Sequence, residues 1–240
     1  MTRDISPDLK KIQLYLTEPH PCSYLDDRNA ITAFVDPKLE VDGDTYNRLS
    51  LLGFRRSGKY VYTPRCVTCK SCIPVRVPAT QFKASRQQKR SVKRNTDLLV
   101  TSVQAPDIEE HYRMFERYIN ARHSDGDMYP PSLEQFQSFI GDAWDCTRYL
   151  EFRLDGQLIC CAVIDWLSSG LSAIYTYFDP DFSNRSLGTY AILKQIELTR
   201  EYQLDYVYLG YWIRDSDKMN YKSRFHPQQL YINNTWMDVG

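Results

Sequence analysis

The stretch from Leu171 to Trp212, LSAIYTYFDPDFSNRSLGTYAILKQIELTREYQLDYVYLGYW, constrains the fold most, because it spells strand, turn, helix and strand in one run. Leu171, Ala173, Tyr175 and Tyr177 alternate with Ser172, Ile174, Thr176 and Phe178, a period of two in residues that suit a strand. Asp179-Pro180-Asp181 ends it. Asn184 to Gly188 then leads into a helix with apolar positions at Ile192, Leu193, Ile196 and Thr199, and Asp205–Leu209 reads as the next strand. That order predicts a parallel strand pair joined by a crossover helix.

The 240 residues are enough for a sizeable core in one large or two small units. Lys plus Arg equals Asp plus Glu, 30 of each, so overall charge points to no nucleic-acid partner and only local clustering can. No apolar run approaches the roughly 20 residues that span a membrane, and no leader pattern opens the chain, which predicts a cytoplasmic protein without a membrane partner. Seven cysteines in such a chain favour reduced thiols or a metal site over a disulfide framework.

Upstream, Lys11–Leu16 alternates like a short strand and the prolines of Glu18–Cys22 impose a loop. Arg28–Asp36 reads as a strand, Tyr46–Phe54 as a helix ended by Gly53, and Phe54–Tyr62 as a strand broken by a turn. Cys66, Cys69 and Cys72 follow at three-residue spacing and make four potential thiolate ligands with Cys22. A structural zinc, an iron–sulfur cluster, and a turn packed with half-buried thiols are all compatible with this pattern. The missing second Cys-x-x-Cys pair tilts the balance toward the turn.

Between Lys83 and Arg94, KASRQQKRSVKR, six of twelve residues are basic and none is acidic. On a helix, Lys83, Arg86, Arg90, Lys93 and Arg94 share one side, with Lys89 close by. Such a stripe neutralises phosphates and suits RNA, and a plain solvated face is the alternative. A strand at Asp97–Thr101 and helices at Ile108–Ala121 and Ser132–Ile140 come next. Between the helices, the loop Arg122–Asp127 carries His123, either a functional imidazole or a solvated one. Arg148–Leu154 and Gln157–Leu167, with turns at Asp155-Gly156 and Ser168–Gly170, feed two hairpins into the opening strand.

The second half therefore has the order of the GCN5-related N-acetyltransferase fold, in which the turn before the crossover helix meets a pyrophosphate. The expectation is an α+β protein with a cysteine-containing N-terminal part over residues 1–97 and an acyltransferase-like part over residues 98–240. Arg185–Tyr190 resembles only the tail of that family's glycine motif, with Tyr190 where a small residue belongs. This weakens the case for coenzyme A and leaves acyl transfer from another donor open.

Several further segments, taken together, resemble the bacterial aspartate/glutamate leucyltransferases, relatives of the arginyl-tRNA–protein transferases. They are His20–Leu25, Gly53–Gly58, Tyr62–Cys66 through Val75–Pro78, Arg94–Leu98, Tyr175 through Tyr190, and Leu209–Ile213 through Lys222. Cys22 stands alone where the eukaryotic arginyl enzymes carry a Cys-x-x-Cys. The resemblance implies transfer of leucine from leucyl-tRNA to proteins that begin with Asp or Glu, marking them for degradation, with leucyl-tRNA as cosubstrate. It implies no DNA partner.

An aminoacyl ester is already activated, and an α-amine of pKa about 8 is partly neutral at pH 7, so neither a strong base nor a cofactor is required. On this expectation Asp165 or Tyr177 holds the amine and serves as its weak base, and Arg56 or Arg76, with Arg65 behind them, holds the acidic side chain. His123 and Tyr175 add substrate contacts. Lys222 and Lys218 meet the acceptor end of tRNA or the oxyanion, while Arg185 and Gly188 meet an RNA phosphate. The alternatives are an arginyl-tRNA–protein transferase, an acyl-coenzyme A N-acyltransferase, and an RNA-binding module without catalysis.

Overall fold

The computed structural model describes residues 9–142 and 144–239. The first unit contains strands β1 (Leu14–Leu16), β2 (His20–Pro21), β3 (Asn29–Ala30) and β4 (Thr32–Val35), helix α1 (Gly43–Leu51), and strands β5 (Arg55–Ser57) and β6 (Tyr60–Pro64). These give a small sheet in the order β1-β4-β6-β5, with β2 and β3 paired separately. Alternation decides its two faces. Ala33, Val35, Val61 and Thr63 are buried under α1, while Phe34 and Tyr62 lie on the other side, half-buried.

The chain then supplies β7 (Ile73–Pro78), α2 (Arg86–Arg94), β8 (Leu99–Val103), α3 (Ile108–Arg122), α4 (Leu133–Phe136), β9 (Thr147–Leu154), β10 (Gln157–Leu167) and β11 (Gly170–Phe178). The crossover helix α5 (Leu187–Glu201), β12 (Tyr206–Trp212), α6 (Asp217–Asn220), β13 (Gln228–Ile232) and β14 (Thr235–Val239) complete it. Eight strands form one sheet in the order β14-β13-β7-β12-β11-β10-β9-β8. Helix α5 buries Ile192, Leu193 and Ile196 on one face, against Val75, Val77 and Val207. On the other face, α3 and α4 pack Phe115, Ile119 and Phe136 against Tyr149, Val163 and Tyr177.

The expected strand–helix–strand run is present, and β11 and β12 are the parallel pair. Two features depart from expectation. Residues 73–78 form a strand between β12 and β13, so a division at residue 97 cuts through the large sheet. Pro74 and Pro78 argue against a central strand, but Pro78 closes β7, and β12 accommodates the rest with a bulge between Tyr208 and Gly210, where Gly210 adopts φ +84°. The hairpin β13–β14 lacks any regular alternation strong enough to announce it.

The parallel pairing of β11 with β12 covers only Gly170–Ser172 against Tyr206–Tyr208. Beyond it, both strands run on without pairing to each other, which leaves a V that opens toward the start of α5. This splay positions the site.

Candidate active site

Arg55, from the first strand after α1, plugs the apex of the V. Its guanidinium donates to Ser172 Oγ at 2.9 Å, to the Tyr208 carbonyl at 3.4 Å and to the Ala173 carbonyl. It thus bridges the two strands where they part. Only 7% of Arg55 is exposed, and among the described residues no carboxylate lies within ion-pairing distance of it. A buried cation without a counterion is costly unless an anion arrives.

Lys222 lies on the neighbouring wall, 4% exposed, and donates to the Tyr211 carbonyl at 2.6 Å and to Met219 Sδ at 3.3 Å. Burial, and then the Arg55 charge, pulls its pKa down to about 7. Two buried basic side chains thus stand at the splay, and among the described residues no carboxylate pairs with either.

Tyr175, His123 and Lys218 form a second group, linked through Tyr118 and Asp125. The Tyr175 hydroxyl is buried without a hydrogen-bond partner and its ring packs against Tyr118, centroids 6.4 Å apart. Tyr118 in turn meets His123 Nε2 at 3.1 Å. Lys218 is exposed and paired with Asp125 at 2.8 Å. Burial, with Lys218 and Arg122 nearby, lowers the His123 pKa.

Other expected site residues lie elsewhere. Asp165 is fully buried beside Arg56, which binds it through two bonds, Nε to Oδ2 at 2.6 Å and Nη2 to Oδ1 at 2.7 Å. Tyr46 and Thr147 donate to the same carboxylate at 3.0 and 2.7 Å. The expected roles of Asp165 as base and Arg56 as substrate fork are corrected here: each satisfies the other. Arg76 is also committed, 3.5 Å from the Tyr206 ring and 4.2 Å from that of Trp236, with Nε on Gln229 at 2.7 Å. Arg65 is exposed at the end of the small sheet.

Tyr177 is fully buried against α3. Its hydroxyl meets His111 Nδ1 at 2.6 Å, and His111 Nε2 meets Glu151 at 3.1 Å. Arg153 and Glu110 extend the chain to the surface. Tyr177 thus belongs to a polar network inside the α3 face, in place of the expected amine-holding role. Burial lowers the pKa of His111 below that of a free imidazole. As pH falls below about 6.5, the unfolded chain takes up this proton before the folded one does. Acid melts are expected to show stability lost in that window, and His111→Gln to flatten the loss.

Helix α2 forms as the basic stripe suggests, opened by a capping box of Ser85 with Gln88. Lys83, Arg86, Lys89, Arg90, Lys93 and Arg94 are all exposed, while Gln88, Ser91 and Asn95 face inward. Gln88 donates to the Arg224 carbonyl at 3.0 Å and Asn95 to the Arg185 carbonyl at 2.9 Å. The helix is thereby fastened to the turn that begins α5. Arg185 spends its fork on Asp97 at 2.9 Å, and Gly188 packs near the Phe178 ring.

The four thiols face one another electrostatically: burial first, then Cys22, Cys66 and Cys69, pushes the Cys72 pKa up to about 12. Cys66 Sγ instead leans toward the Ile31 carbonyl and Cys69 Sγ toward Ser71. Among the described residues no three His, Cys, Asp or Glu side chains are grouped to hold a metal ion.

The large splayed sheet with its crossover helix defines an acyltransferase-type fold. It superposes with a TM-score of 0.50 and 17% identity on the C-terminal domain of an Agrobacterium fabrum protein described as a lysylphosphatidylglycerol synthetase, over 71% of this chain and 58% of that one. Residues 20–90 match the family model for the N terminus, and residues 110–232 that for the C terminus, of arginine-tRNA-protein transferase. The chain belongs to the arginine-tRNA-protein transferase family, a family of aminoacyltransferases.

Its relatives include an aspartate/glutamate leucyltransferase of Saccharophagus degradans, 51% identical over 96% of this chain and 98% of its own length. Enzymes of the same name from Teredinibacter turnerae and Hahella chejuensis are 52% and 50% identical, covering 96% and 97% of this chain and 96% and 99% of their own lengths. Sequence reasoning missed Arg55, Tyr118 and His111. For Arg55 a signal existed: adjacent residues of a strand point opposite ways, so the Arg55-Arg56 pair always offers two different environments.

Proposed function

We propose that this enzyme transfers leucine from leucyl-tRNA to the α-amine of proteins whose first residue is Asp or Glu, in the cytoplasm, and so marks them for degradation. The observation that carries the reading is the buried guanidinium of Arg55 at the splay, with which no carboxylate among the described residues pairs, in a chain half identical to enzymes of that name. An acidic side chain entering the V supplies the missing counterion, and a planar fork is the group best suited to hold it.

The bound amine then attacks the ester carbonyl of leucyl-tRNA. A nitrogen–carbon bond forms, the bond to the ribose oxygen breaks, and one proton leaves the nitrogen for the departing oxygen. Lys222 is the proposed carrier of that proton. Its two committed N–H groups leave one position on the nitrogen, a lone pair when neutral and a third N–H when charged. The Arg55 charge also favours the oxyanion. Fixing amine and ester together supplies much of the remaining acceleration. The exposed basic side of α2, fastened beside the start of α5, is the proposed contact for tRNA phosphates.

The test pairs labelled leucyl-tRNA with peptides beginning Asp, Glu or Ala, and adds acetyl coenzyme A as a competing donor. Label is expected only on the two acidic peptides, and only from tRNA. Arg55→Leu is expected to raise KM for the acidic peptides while leaving KM for leucyl-tRNA near its starting value. Label on the Ala peptide, or acetyl transfer in its place, overturns the reading.

A further inference from the structure

The small sheet carries a feature that amine transfer does not use. Tyr15 of β1 is the direct cross-strand partner of Phe34 in β4, Phe34 of Tyr62 in β6, and Tyr62 of Arg55 in β5. Directly paired residues point to the same face, so these four side chains form one row across the whole sheet. Tyr60 joins it, two residues from Tyr62 on the same side, and its ring lies 5.9 Å from that of Phe34. The Phe34 and Tyr62 rings are 6.0 Å apart, and Tyr62 meets Tyr211 at 6.0 Å. The carbonyl of that same Tyr211 anchors Lys222.

The outer part of the row is open. Tyr15 and Tyr60 are 46% and 40% exposed, and with Phe34, Asp36, Pro37 and Lys38 they line a groove of about 620 Å³. Lys59 lies over the Tyr60 ring at 5.4 Å. The outward side of a small sheet usually carries polar residues. Here it carries aromatic faces edged by two lysines, in a line that ends at the catalytic cleft.

We propose that this row is a stacking platform for the single-stranded 3′ end of the aminoacyl-tRNA. Bases lie on Tyr15, Phe34 and Tyr60 and the ester is delivered past Tyr62 and Tyr211 to Lys222. Aromatic faces with flanking cations are the surface that unpaired nucleotides recognise without regard to sequence. Ring contacts carry the row from Phe34 through Tyr62 to Tyr211, whose carbonyl holds Lys222, and this continuity commits the groove to the substrate on which Lys222 acts. The inference rests on the leucyl-tRNA reading above.

Tyr15→Leu and Tyr60→Leu keep apolar contact and remove the aromatic face. Each is expected to raise KM for leucyl-tRNA and to weaken equilibrium binding of uncharged tRNA about 5- to 150-fold, the range that one lost base stack represents. KM for the acidic peptide stays put, Tyr15→Phe behaves as the unaltered enzyme, and an RNA stem trimmed of its single-stranded end binds all variants alike. Thermal melts identify any variant whose fold is lost, for which the Phe form and the trimmed stem still decide. A rise in peptide KM alone assigns the groove to the protein substrate and overturns the platform, as does an unchanged affinity for intact tRNA. An enzyme that binds tRNA through this row yet leucylates no peptide retains the platform and loses the leucyl-transfer reading.

Discussion

Replacing Lys222 with methionine is expected to lower kcat for leucyl transfer about 10²- to 10⁴-fold, the usual contribution of a positioned proton carrier, with both KM values little altered. Methionine matches the length of the stem and leaves the Tyr211 carbonyl and Met219 Sδ without their donor. The pH profile makes the assignment specific. Burial and Arg55 hold the ammonium pKa near 7, so kcat of the unaltered enzyme rises with pH and levels off above that value as the amine becomes neutral. The substrate amine titrates too, near 8, but it does so in both proteins, and the difference between the two profiles isolates Lys222. Stability should respond in a linked way. Between pH 7 and 10.5 the unfolded chain carries the Lys222 proton and the folded one does not, so stability rises with pH across that window and is lowest below it. Lys222→Met should remove that slope. A methionine variant with full turnover would end the proton-carrier role.

The second large effect concerns Asp165 and Arg56. Both are buried, doubly hydrogen-bonded to each other, and supported by Tyr46, Thr147 and the Gly58 carbonyl. Removing either partner alone leaves a bare charge in the interior and is expected to cost about 3–5 kcal/mol, seen as a lower urea midpoint. Asp165→Leu with Arg56→Met should cost far less than the two singles together, because most of each single penalty is the stranded partner. Enzyme that remains folded at low temperature should still transfer leucine. Loss of turnover in an Asp165 variant of undiminished stability would return that carboxylate to the chemistry.

The contrast between Arg55 and Arg56 shows what a sequence carries and what it withholds. The strands and helices of the second half were legible because they are local: a period of two in β11 and a spaced apolar stripe in α5 are properties of neighbours in the chain. The family resemblance was legible for the same reason, being a sum of short segments. Which of two adjacent arginines meets a carboxylate is decided by Asp165 and Ser172 on distant strands, and no local pattern records it. Strand β7 was hidden by its prolines, and Tyr118 by being one tyrosine among 18. The cysteines show a spacing that sequence alone left between a metal site and a packed turn, and two of the sulfurs turn to hydrogen bonds of their own.

The position of β7 also bears on how the chain comes to be folded during synthesis. A strand made in the first third of the polypeptide occupies the middle of the large sheet, hydrogen-bonded on one edge to β12 and on the other to β13, both made near the end. While the ribosome is still at work, both edges of β7 stand open and the splay has no second arm. Contacts this far apart in sequence close late and slowly, and an unpaired strand invites a neighbouring chain. The prolines at its two ends withhold backbone donors from any intruder, so the same residues that disguise β7 in the sequence also guard it until its own partners emerge.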